Sequence, residues 1–352
     1  MAFFSKFEIK SGHLIRYHGR EKIVEIPETV HTVDKGAFSS DQNRNIKKIQ
    51  KITVPFSVKK ICTGAFAGLE NLTEISLCGV ERIETDAFSN CPSLQEVYIP
   101  STVTFIENPF ITCQSLNNIL VDENNLSYVS IDGVLFDKKR MVLLRYPPEK
   151  LQPTYMIPDS VFSIGECAFF ACHNLKEIVF PKTVTQIGTK AFAYCDQVDI
   201  SRLPDALEEI GSGAFEGCCQ LHAISLPYLV KEILPRTFYG CQELHTVNLS
   251  DSLKIIGENA FEGCSALSEI IIPQTVSTIS RRAFALCENL QKMIIPVSVQ
   301  SIAWDAMQNC FKLRNVYYNG TKKQWKALDV LIPESALHCD TIFETIKKKL
   351  PI

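Results

Sequence analysis

Fourteen cysteines are the residues of this 352-residue chain with the widest range of possible chemistry. Thiols can form disulfides, bind metal ions or act as nucleophiles, and they also pack as small apolar side chains. Five cysteines follow no regular spacing: Cys62, Cys78, Cys167, Cys219 and Cys339. The other nine recur at a nearly constant interval: Cys91, Cys113, Cys172, Cys195, Cys218, Cys241, Cys264, Cys287 and Cys310. Whether these thiols react, bind metal or pack in a core depends on where the regular interval places them.

Catalytic motifs are absent from the sequence. It has no glycine-rich phosphate loop, no G-x-S-x-G elbow and no HExxH, and no cysteine lies in a recognised catalytic context. We therefore expect no enzyme, no catalytic residue and no cofactor.

Two histidines are the other candidates for polar chemistry. His222 and His245 are 23 residues apart, so neighbouring coils of a repeat would place them side by side, close to Asn248. Cys219 precedes His222 by three residues, but a metal site would need a third and a fourth ligand, and Cys219 is expected in a turn. We therefore expect no metal site and a polar, pH-sensitive patch that could contact a partner.

The cysteine interval belongs to a longer repeat that is anchored by phenylalanine. The anchor recurs every 23 residues from Phe169 to Met307 and every 22 from Phe66 to Phe110. The aligned unit is I-G-x-x-A-F-x-x-C-x-x-L-x-x-I-x-I-P-x-x-V-x-x-I, with eleven recognisable turns and two insertions. The anchors are Phe38, Phe66, Phe88, Phe110, Phe169, Phe192, Phe215, Phe238, Phe261, Phe284 and Met307. A fixed period of this length predicts stacked structural repeats.

Each part of the unit predicts a local structure. The alternating I-x-I-P indicates a strand that proline ends, because proline cannot donate to a ladder. V-x-x-I would pack on the next side of the coil, and A-F-x-x-C would form a short helical or 3₁₀ turn. A single coil cannot bury its apolar side, whereas stacked coils can. We therefore predict a parallel solenoid with one strand per coil, and a ladder of free, buried cysteines in its core.

This unit resembles the BspA-like, or type 5, leucine-rich repeats of bacteria and some protists, over roughly residues 20–320. The opening "FEIKSGHLIRYHGREKIVEIPETV" is similar to their N-terminal β-hairpin cap, and "VYYNGTKKQWKAL" to their terminal coil and helical cap. The resemblance implies an α/β solenoid, a right-handed superhelix with one curved parallel β-sheet and short helical or 3₁₀ turns on the convex side. It also implies an interaction scaffold, in many relatives secreted or at the cell surface, rather than an enzyme.

The expected organisation is an N-terminal cap at 1–30, a solenoid at 31–320 and a C-terminal cap at 321–352. An insertion at about 122–156 contains "YVSIDGVLF" and "MVLLRYP", which indicate two strands of a β-hairpin that leaves the solenoid edge. The hairpin could bind a partner or be a structural elaboration, and we favour the second. In the C-terminal cap, Trp325, Leu328 and Val330 would cover the last coil, and "TIFETIKKKL" would form a short helix.

The exposed middle position of each predicted strand is where a partner could bind. It is occupied by Thr53, Ser76, Tyr98, Leu120, Val179, Arg202, Ser225, Asn248, Ile271, Ile294 and Tyr317. Exposed apolar stretches mark contact sites, although β-propensity alone also favours such residues. The partner-binding candidates are Tyr98, Leu120, Val179, His222, His245, Asn248, Ile271, Ile294 and Tyr317.

Charge sets limits on the class of partner. A neighbouring column carries Glu74, Glu96, Glu177 and Glu269, which could attract a basic partner but more simply keep the sheet soluble. The net charge of −3 and the pI of about 6.2 give no reason to expect nucleic acid or an acidic membrane surface. No apolar run is long enough to insert into a membrane.

These observations predict a non-enzymatic protein–protein interaction scaffold that binds through its concave sheet, as an adhesin-like or host-interacting bacterial protein. The alternatives are a carbohydrate-binding surface that uses Tyr98, Tyr317 and the histidines, and an intracellular scaffold. The N-terminus has no signal-peptide pattern, and many thiols fit a reducing compartment, so a cytoplasmic location is expected. A secreted or cell-surface location follows instead if a signal was removed.

Overall fold

The computed structural model describes residues 6–39, 43–200, 202–330, 332 and 334–339. The chain divides into two compact units. The first consists of residues up to Leu151 together with Cys167–Asn174, and the second of Gln152–Glu166 together with residues from Leu175 onwards. The helix predicted at 341–350 lies outside the described residues.

The first unit begins with an antiparallel hairpin, β1 and β2, and continues as parallel coils. It also has one 3₁₀ helix at Arg44–Lys48. Its strands are β1 Phe7–Lys10, β2 His13–Tyr17, β3 Ile23–Glu25, β4 Thr32–Val33, β5 Lys51–Val54, β6 Lys60–Ile61, β7 Glu74–Leu77, β8 Arg82–Ile83, β9 Glu96–Ile99, β10 Phe105–Ile106, β11 Asn118–Val121, β12 Tyr128–Ile131, β13 Val134–Asp137 and β14 Val142–Arg145.

The second unit is also built from parallel coils. Its described residues also include the helix α1 at Lys322–Ala327, a 3₁₀ helix at Glu334–Ala336 and a short strand after it. Its strands are β15 Thr154–Met156, β16 Ser163–Ile164, β17 Glu177–Val179, β18 Gln186–Ile187, β19 Glu209–Ile210, β20 Ala223–Ser225, β21 Glu232–Ile233, β22 Thr246–Asn248, β23 Ile255–Ile256, β24 Glu269–Ile271, β25 Thr278–Ile279, β26 Lys292–Ile295, β27 Ser301–Ile302, β28 Asn315–Tyr318 and β29 Leu337–His338.

Most coils contribute two strands rather than the one that the sequence predicted. The I-x-I-P segment forms strands of three or four residues, which we call the long-strand ladder of each unit. The V-x-x-I segment is a strand of its own, two residues long, and these strands pair in a separate short-strand ladder. Each unit is therefore a parallel β solenoid with two ladders instead of a single sheet.

The A-F-x-x-C segment is a run of tight turns, not a helix. Main-chain bonds join residues three apart, as in Ala191 N–H to the Gly188 carbonyl at 3.2 Å and Cys195 N–H to the Phe192 carbonyl at 3.1 Å. The residue before the cysteine has a positive φ, 61° at Tyr194 and 70° at Gly240, which reverses the chain before it enters the strand. Among the described residues, α-helix is confined to Lys322–Ala327.

A column of stacked aromatic rings forms the centre of the core, as predicted. In the second unit, ring centroids are 5.2–5.6 Å apart between successive members from Phe192 to Phe284, and the rings are nearly parallel. All these phenylalanines are fully buried. Because each ring contacts only the rings above and below it, the column ties each coil to its immediate neighbours.

The aromatic column of the first unit has two members that the sequence analysis missed. Tyr17 stacks on Phe38 at 5.1 Å, and Tyr146 stacks on Phe169 at 5.2 Å. Tyr146 is 23 residues before Phe169, so the long step after Phe110 contains a complete coil. The count of eleven turns was therefore too low, because tyrosine replaced the anchor phenylalanine.

The insertion is a three-stranded meander whose central strand is buried, and the prediction of a two-stranded hairpin leaving the edge was wrong. "YVSIDGVLF" is two strands, since Asp132 and Gly133 both have positive φ and form the tight turn between β12 and β13. Val134 and Phe136 of β13 are fully buried, and Ile119 N–H of β11 donates to the Gly133 carbonyl at 3.0 Å. The meander thus extends the core of the first unit instead of projecting from it.

The C-terminal cap begins with a capping box, in which Thr321 and Gln324 each satisfy the other's main chain. Trp325 is buried and meets the Tyr318 ring edge-on at 5.2 Å, whereas Leu328 and Val330 are half-buried. Strand β29 then pairs with β28 in parallel. The edge of β28 is therefore covered by β29, and its Tyr318 is covered by Trp325.

The cysteine ladder is confirmed. Eight of the nine members are buried, and Cys310 at the end is half-buried. No disulfide forms within the described residues, which include every cysteine. Burial raises the pKa of Cys113 to about 11, and it raises the pKa of Cys218 and Cys264 further. They act as small apolar core residues.

Candidate functional site

The candidate surface is the solvent-facing side of the long-strand ladders. Side chains alternate along each strand, so in most coils the residue between the two apolar positions of I-x-I faces outwards. Parallel pairing in register places equivalent residues of successive coils side by side, for example Tyr98 beside Leu120 and Ser225 beside Asn248. The two units are described separately below.

In the first unit, Tyr98 and Leu120 form an exposed apolar pair. Tyr98 is 48% exposed and Leu120 37%, and they are direct register partners on β9 and β11. The Tyr98 hydroxyl donates to Asp122 Oδ2 at 2.6 Å. This bond raises the pKa of Tyr98 and lowers that of Asp122, because it favours the neutral phenol and the charged carboxylate. The ring is thus held in place while its apolar face remains open.

In the second unit, Val179 has a partner that the sequence analysis missed. Its neighbour in register is Met156 on β15, with exposures of 40% for Val179 and 71% for Met156. Met156 belongs to the coil anchored by Tyr146, so it escaped detection with that coil. The signal was present, because "YMIP" lies one 23-residue period before "IVFP".

The predicted stretch of Ile271, Ile294 and Tyr317 is not an exposed apolar surface. The three are register partners, but Ile294 is only 2% exposed and the other two are half-buried. Strand β29 brings the His338 ring against Tyr317, with centroids 4.8 Å apart, and Ile294 lies between two large neighbours. The expectation of solvent exposure was therefore wrong for Ile294 and overstated for the other two.

His222 and His245 lie side by side, as the repeat spacing predicted. Their ring centroids are 6.0 Å apart in an edge-on arrangement, and His245 Nδ1 contacts the His222 carbonyl oxygen. Asn248 Nδ2 donates to Ser225 Oγ at 3.0 Å. Both histidines are exposed. No group of three metal-binding side chains occurs in the described part of the chain.

The glutamates beside this surface are paired across the ladders, not presented as a free acidic stripe. Glu74 binds Lys51 at 2.5 Å, and Glu96 accepts from Asn118 Nδ2 at 2.7 Å. Glu177 accepts from Thr154 at 3.1 Å, and Lys292 lies 3.9 Å from Glu269. These contacts between neighbouring coils favour the interpretation of a solvated, soluble face.

A cavity of about 420 Å³ lies next to Val179, and sequence analysis did not predict it. Its lining includes Asp199, Arg202 and Lys182. Here the long-strand ladder is reduced to a single bridge between Glu177 and Asp199. The sequence "CDQVDISRLPDAL" departs from the repeat at this coil, and its Ser201 lies outside the described residues. The cavity adds charged groups to the edge of the Met156–Val179 pair.

No helix among the described residues has the length and apolar character needed to cross a membrane.

Coils with an aromatic anchor, a buried cysteine and two parallel ladders define a leucine-rich-repeat solenoid. The chain belongs to the BspA type leucine-rich repeat family, whose sequence profile matches residues 44–139, 150–234 and 208–327 in six copies. Among curated proteins, none matches this chain in sequence.

Two solved structures share the fold at low sequence identity. A leucine-rich repeat protein from Eubacterium ventriosum is 23% identical, with a TM-score of 0.70, over 89% of this chain and 90% of that protein. The pneumococcal vaccine antigen PcpA is 22% identical, with a TM-score of 0.63, over 92% of this chain and 78% of that chain. At this level of identity the likeness concerns the fold alone.

Proposed function

We propose that the protein is a non-enzymatic scaffold that binds a protein partner through the exposed apolar pairs of its long-strand ladders. The observation that carries the proposal is the position of Tyr98 beside Leu120, with a second pair, Met156 and Val179, in the other unit. The family membership supports an interaction role, because solenoids of stacked repeats present extended binding surfaces.

The chemistry of the Tyr98–Leu120 pair suits a protein interface. Tyrosine is enriched among the residues that dominate binding energy, since its ring buries a large area with few rotatable bonds. The bond from Tyr98 to Asp122 already fixes the ring, so little side-chain entropy is lost on binding. Paired glutamates and lysines near the ladder would form the polar rim that such interfaces have.

An adhesin-like or host-interacting role is the finer form of this proposal. It is supported by the fold shared with PcpA, which is described as a pneumococcal vaccine antigen, and by the bacterial source of both similar structures. An intracellular scaffold is the alternative, supported by the many buried thiols. A partner found among extracellular-matrix or serum proteins would support the host-interacting role, and a partner from the cell's own lysate would support the intracellular one.

A glycan-binding surface is the second candidate. The open face of Tyr98 could stack against a sugar ring, and Asp122 could accept a hydroxyl group. Tyr317 offers less, because the His338 ring lies against it. A glycan array with the wild type and with Tyr98→Ser would test this candidate directly.

Affinity capture tests the main proposal. The immobilised wild type, the variant Tyr98→Ser/Leu120→Ser and the variant Met156→Ser/Val179→Ser would be exposed to extracellular-matrix proteins, serum and a lysate of the producing cell. Tyr228→Ser/Phe311→Ser removes apolar side chains elsewhere that are at least as exposed as most of these, and it serves as the matched control. We expect at least one protein that the wild type and the control retain and one ladder variant loses. Equal capture by all four would contradict the proposal.

A further inference from the structure

The last member of the cysteine ladder is the one that meets solvent. Cys310 is half-buried, whereas the eight other members are buried. Its neighbours in the chain, Asn309 and Phe311, are both exposed. A thiol reacts with an oxidant or an alkylating reagent only where that reagent can reach it, so Cys310 is the ladder thiol that is open to chemistry.

Cys287, one period earlier in the chain, lies directly against Cys310. The carbonyl oxygen of Phe284 accepts from Cys287 N–H at 3.4 Å and from Cys310 Sγ at 3.0 Å, which places the Cys310 sulfur beside Cys287. The two thiols are within hydrogen-bond distance of each other. Leu286 N–H donates to the Gln308 carbonyl at 2.8 Å and holds the two coils together. Stacked coils are about 4.8 Å apart, within the roughly 4.4–6.8 Å that separates the Cα atoms of a disulfide.

The contact between the two thiols gives them different reactivity. Donation of a hydrogen bond by Cys287 to the Cys310 sulfur lowers the pKa of Cys310, although burial opposes this shift. The same bond, together with burial, raises the pKa of Cys287 well above its usual value. Because a thiolate cannot donate to the Phe284 carbonyl, ionised Cys310 keeps only the donors of Cys287. The pair thus combines an accessible sulfur that ionises with a buried thiol beside it, which is the arrangement of redox-active cysteines.

We propose that Cys287 and Cys310 are an oxidisable pair, which a peroxide converts into a disulfide between the last two coils of the cysteine ladder. In the first step the Cys310 thiolate attacks one oxygen of hydrogen peroxide, the O–O bond breaks, and hydroxide leaves a sulfenic acid on Cys310. In the second step the Cys287 sulfur attacks the Cys310 sulfur, the S–O bond breaks, and the hydroxyl group takes the Cys287 proton as water. Counting the proton that Cys310 released, the two thiols lose two electrons and two protons, and the peroxide becomes two molecules of water.

Oxidation changes the end of the core. A disulfide brings the two sulfurs to about 2.0 Å, so Cys287 gives up its bond to the Phe261 carbonyl, which is 3.2 Å long in the reduced protein. In return the last coil of the ladder gains a covalent link to its neighbour, whereas packing and hydrogen bonds alone join the other coils. The modification lies in the core and is independent of the long-strand surface proposed above.

Cys78 provides an internal comparison. It is the exposed cysteine of the chain, and its sulfur contacts Ser76 Oγ at 3.3 Å. Among the described residues, no hydrogen bond joins it to another thiol. Peroxide should therefore carry Cys78 to a sulfenic acid, which a dimedone probe captures, whereas Cys310 should proceed to the disulfide.

Peroxide treatment of the reduced full chain tests the proposal. After exposure to hydrogen peroxide at neutral pH, the remaining thiols are blocked with N-ethylmaleimide in denaturant, and the peptides are mapped by mass spectrometry. We expect the Cys287–Cys310 disulfide to form at least about tenfold faster than any other cross-link. In the folded, reduced protein, N-ethylmaleimide should label Cys310 and leave Cys287 and Cys264 unlabelled.

Matched variants assign the two roles. Cys310→Ser should abolish the disulfide and leave Cys287 reduced, whereas Cys264→Ala, which removes an equally buried ladder thiol, should leave the disulfide unchanged. Cys287→Ala should stop the reaction at a dimedone-reactive sulfenic acid on Cys310. A variant that unfolds is recognised by labelling of all its remaining thiols without denaturant. Absence of the disulfide in the oxidised wild type, or oxidation of Cys287 at the same rate in Cys310→Ser, would overturn the proposal.

Discussion

The thiol of Cys241 donates a hydrogen bond to the carbonyl oxygen of Phe215 in the preceding coil, 3.1 Å away. The same bond joins Cys264 to Phe238 at 3.2 Å. It recurs with similar geometry at most members of the ladder. Each cysteine therefore fills a small apolar space and also adds a hydrogen bond to a carbonyl that already accepts from the main chain of its own turn, as Phe215 does from Cys218 N–H at 3.2 Å. Both roles need the protonated thiol.

Alkaline pH should destabilise the protein through this ladder. Burial, reinforced by the neighbouring Cys264 and Cys218, raises the pKa of Cys241 well above its usual value. In the unfolded chain thiols ionise near pH 8.5, so above that pH the folded state binds more protons and its stability falls as pH rises. Each such thiol contributes a loss of about 1.4 kcal/mol per pH unit between the two pKa values. Denaturant unfolding at several pH values from 7 to 10 would measure it.

The variant Cys241→Ala supplies the control for this effect. It should cost roughly 1 kcal/mol at pH 7, because a small buried group is lost. It should also reduce the slope of the unfolding free energy against pH above pH 8.5 by the equivalent of about one proton. Cys78→Ala, at an exposed position, should leave both the stability at pH 7 and this slope unchanged. A slope unaffected by Cys241→Ala would show that the ladder thiols are not responsible.

Gly240→Ala should destabilise the second unit by about 1 kcal/mol through backbone strain alone. Gly240 has a φ of 70°, and a Cβ built there meets no atom within 4 Å, so steric overlap is not involved. Leu286 fills the same position two coils further on, with a φ of 57°, and Leu286→Gly should relieve strain there. Thermal unfolding of both variants would check the opposite signs. Two changes of the same sign would contradict this explanation.

Arg236→Met should destabilise the protein by roughly 3 kcal/mol at pH 7, because it leaves a buried charge without its partner. Burial tends to raise the pKa of Glu216, but hydrogen bonds from Arg236, at 2.7 Å, and Tyr194 outweigh it and lower that pKa. Wild-type stability from this carboxylate is therefore present above its unfolded pKa and is lost as pH falls. In the variant burial dominates, so protonation at lower pH should recover part of the deficit.

Chemical denaturation at pH 7 and pH 4.5 would test the Glu216 prediction. Lys47→Met breaks an exposed ion pair to Glu70 and is the comparison, with an expected cost below about 1 kcal/mol. A deficit for Arg236→Met that stays constant between the two pH values would show that lost packing, rather than the carboxylate charge, is the cause.

The period of the sequence predicted those structural features that arise from contacts between equivalent positions of neighbouring coils. The stacking of Phe192 on Phe215, the burial of Cys241 and the pairing of His222 with His245 all follow from a 23-residue step. Tyr146 and the Asp132–Gly133 turn were also present in the sequence. They were missed because tyrosine replaced the anchor and because an apolar run was taken as one strand.

Other features depend on contacts that no repeat pattern contains. The burial of Ile294 results from the side chains around it, and the cover over Tyr317 comes from His338, which lies outside the repeat. Contacts outside the repeat pattern therefore decide which residues of the candidate surface are exposed, whereas residues that keep the repeat determine the fold.

The most direct test of the central claim is the dissociation constant of the captured partner for four forms of the protein. These forms are the wild type, the two ladder variants and Tyr228→Ser/Phe311→Ser. We predict at least about a tenfold weaker Kd for Tyr98→Ser/Leu120→Ser or for Met156→Ser/Val179→Ser, with the control equal to wild type. A loss confined to Tyr228→Ser/Phe311→Ser would place the binding surface away from the long-strand ladders and contradict the account.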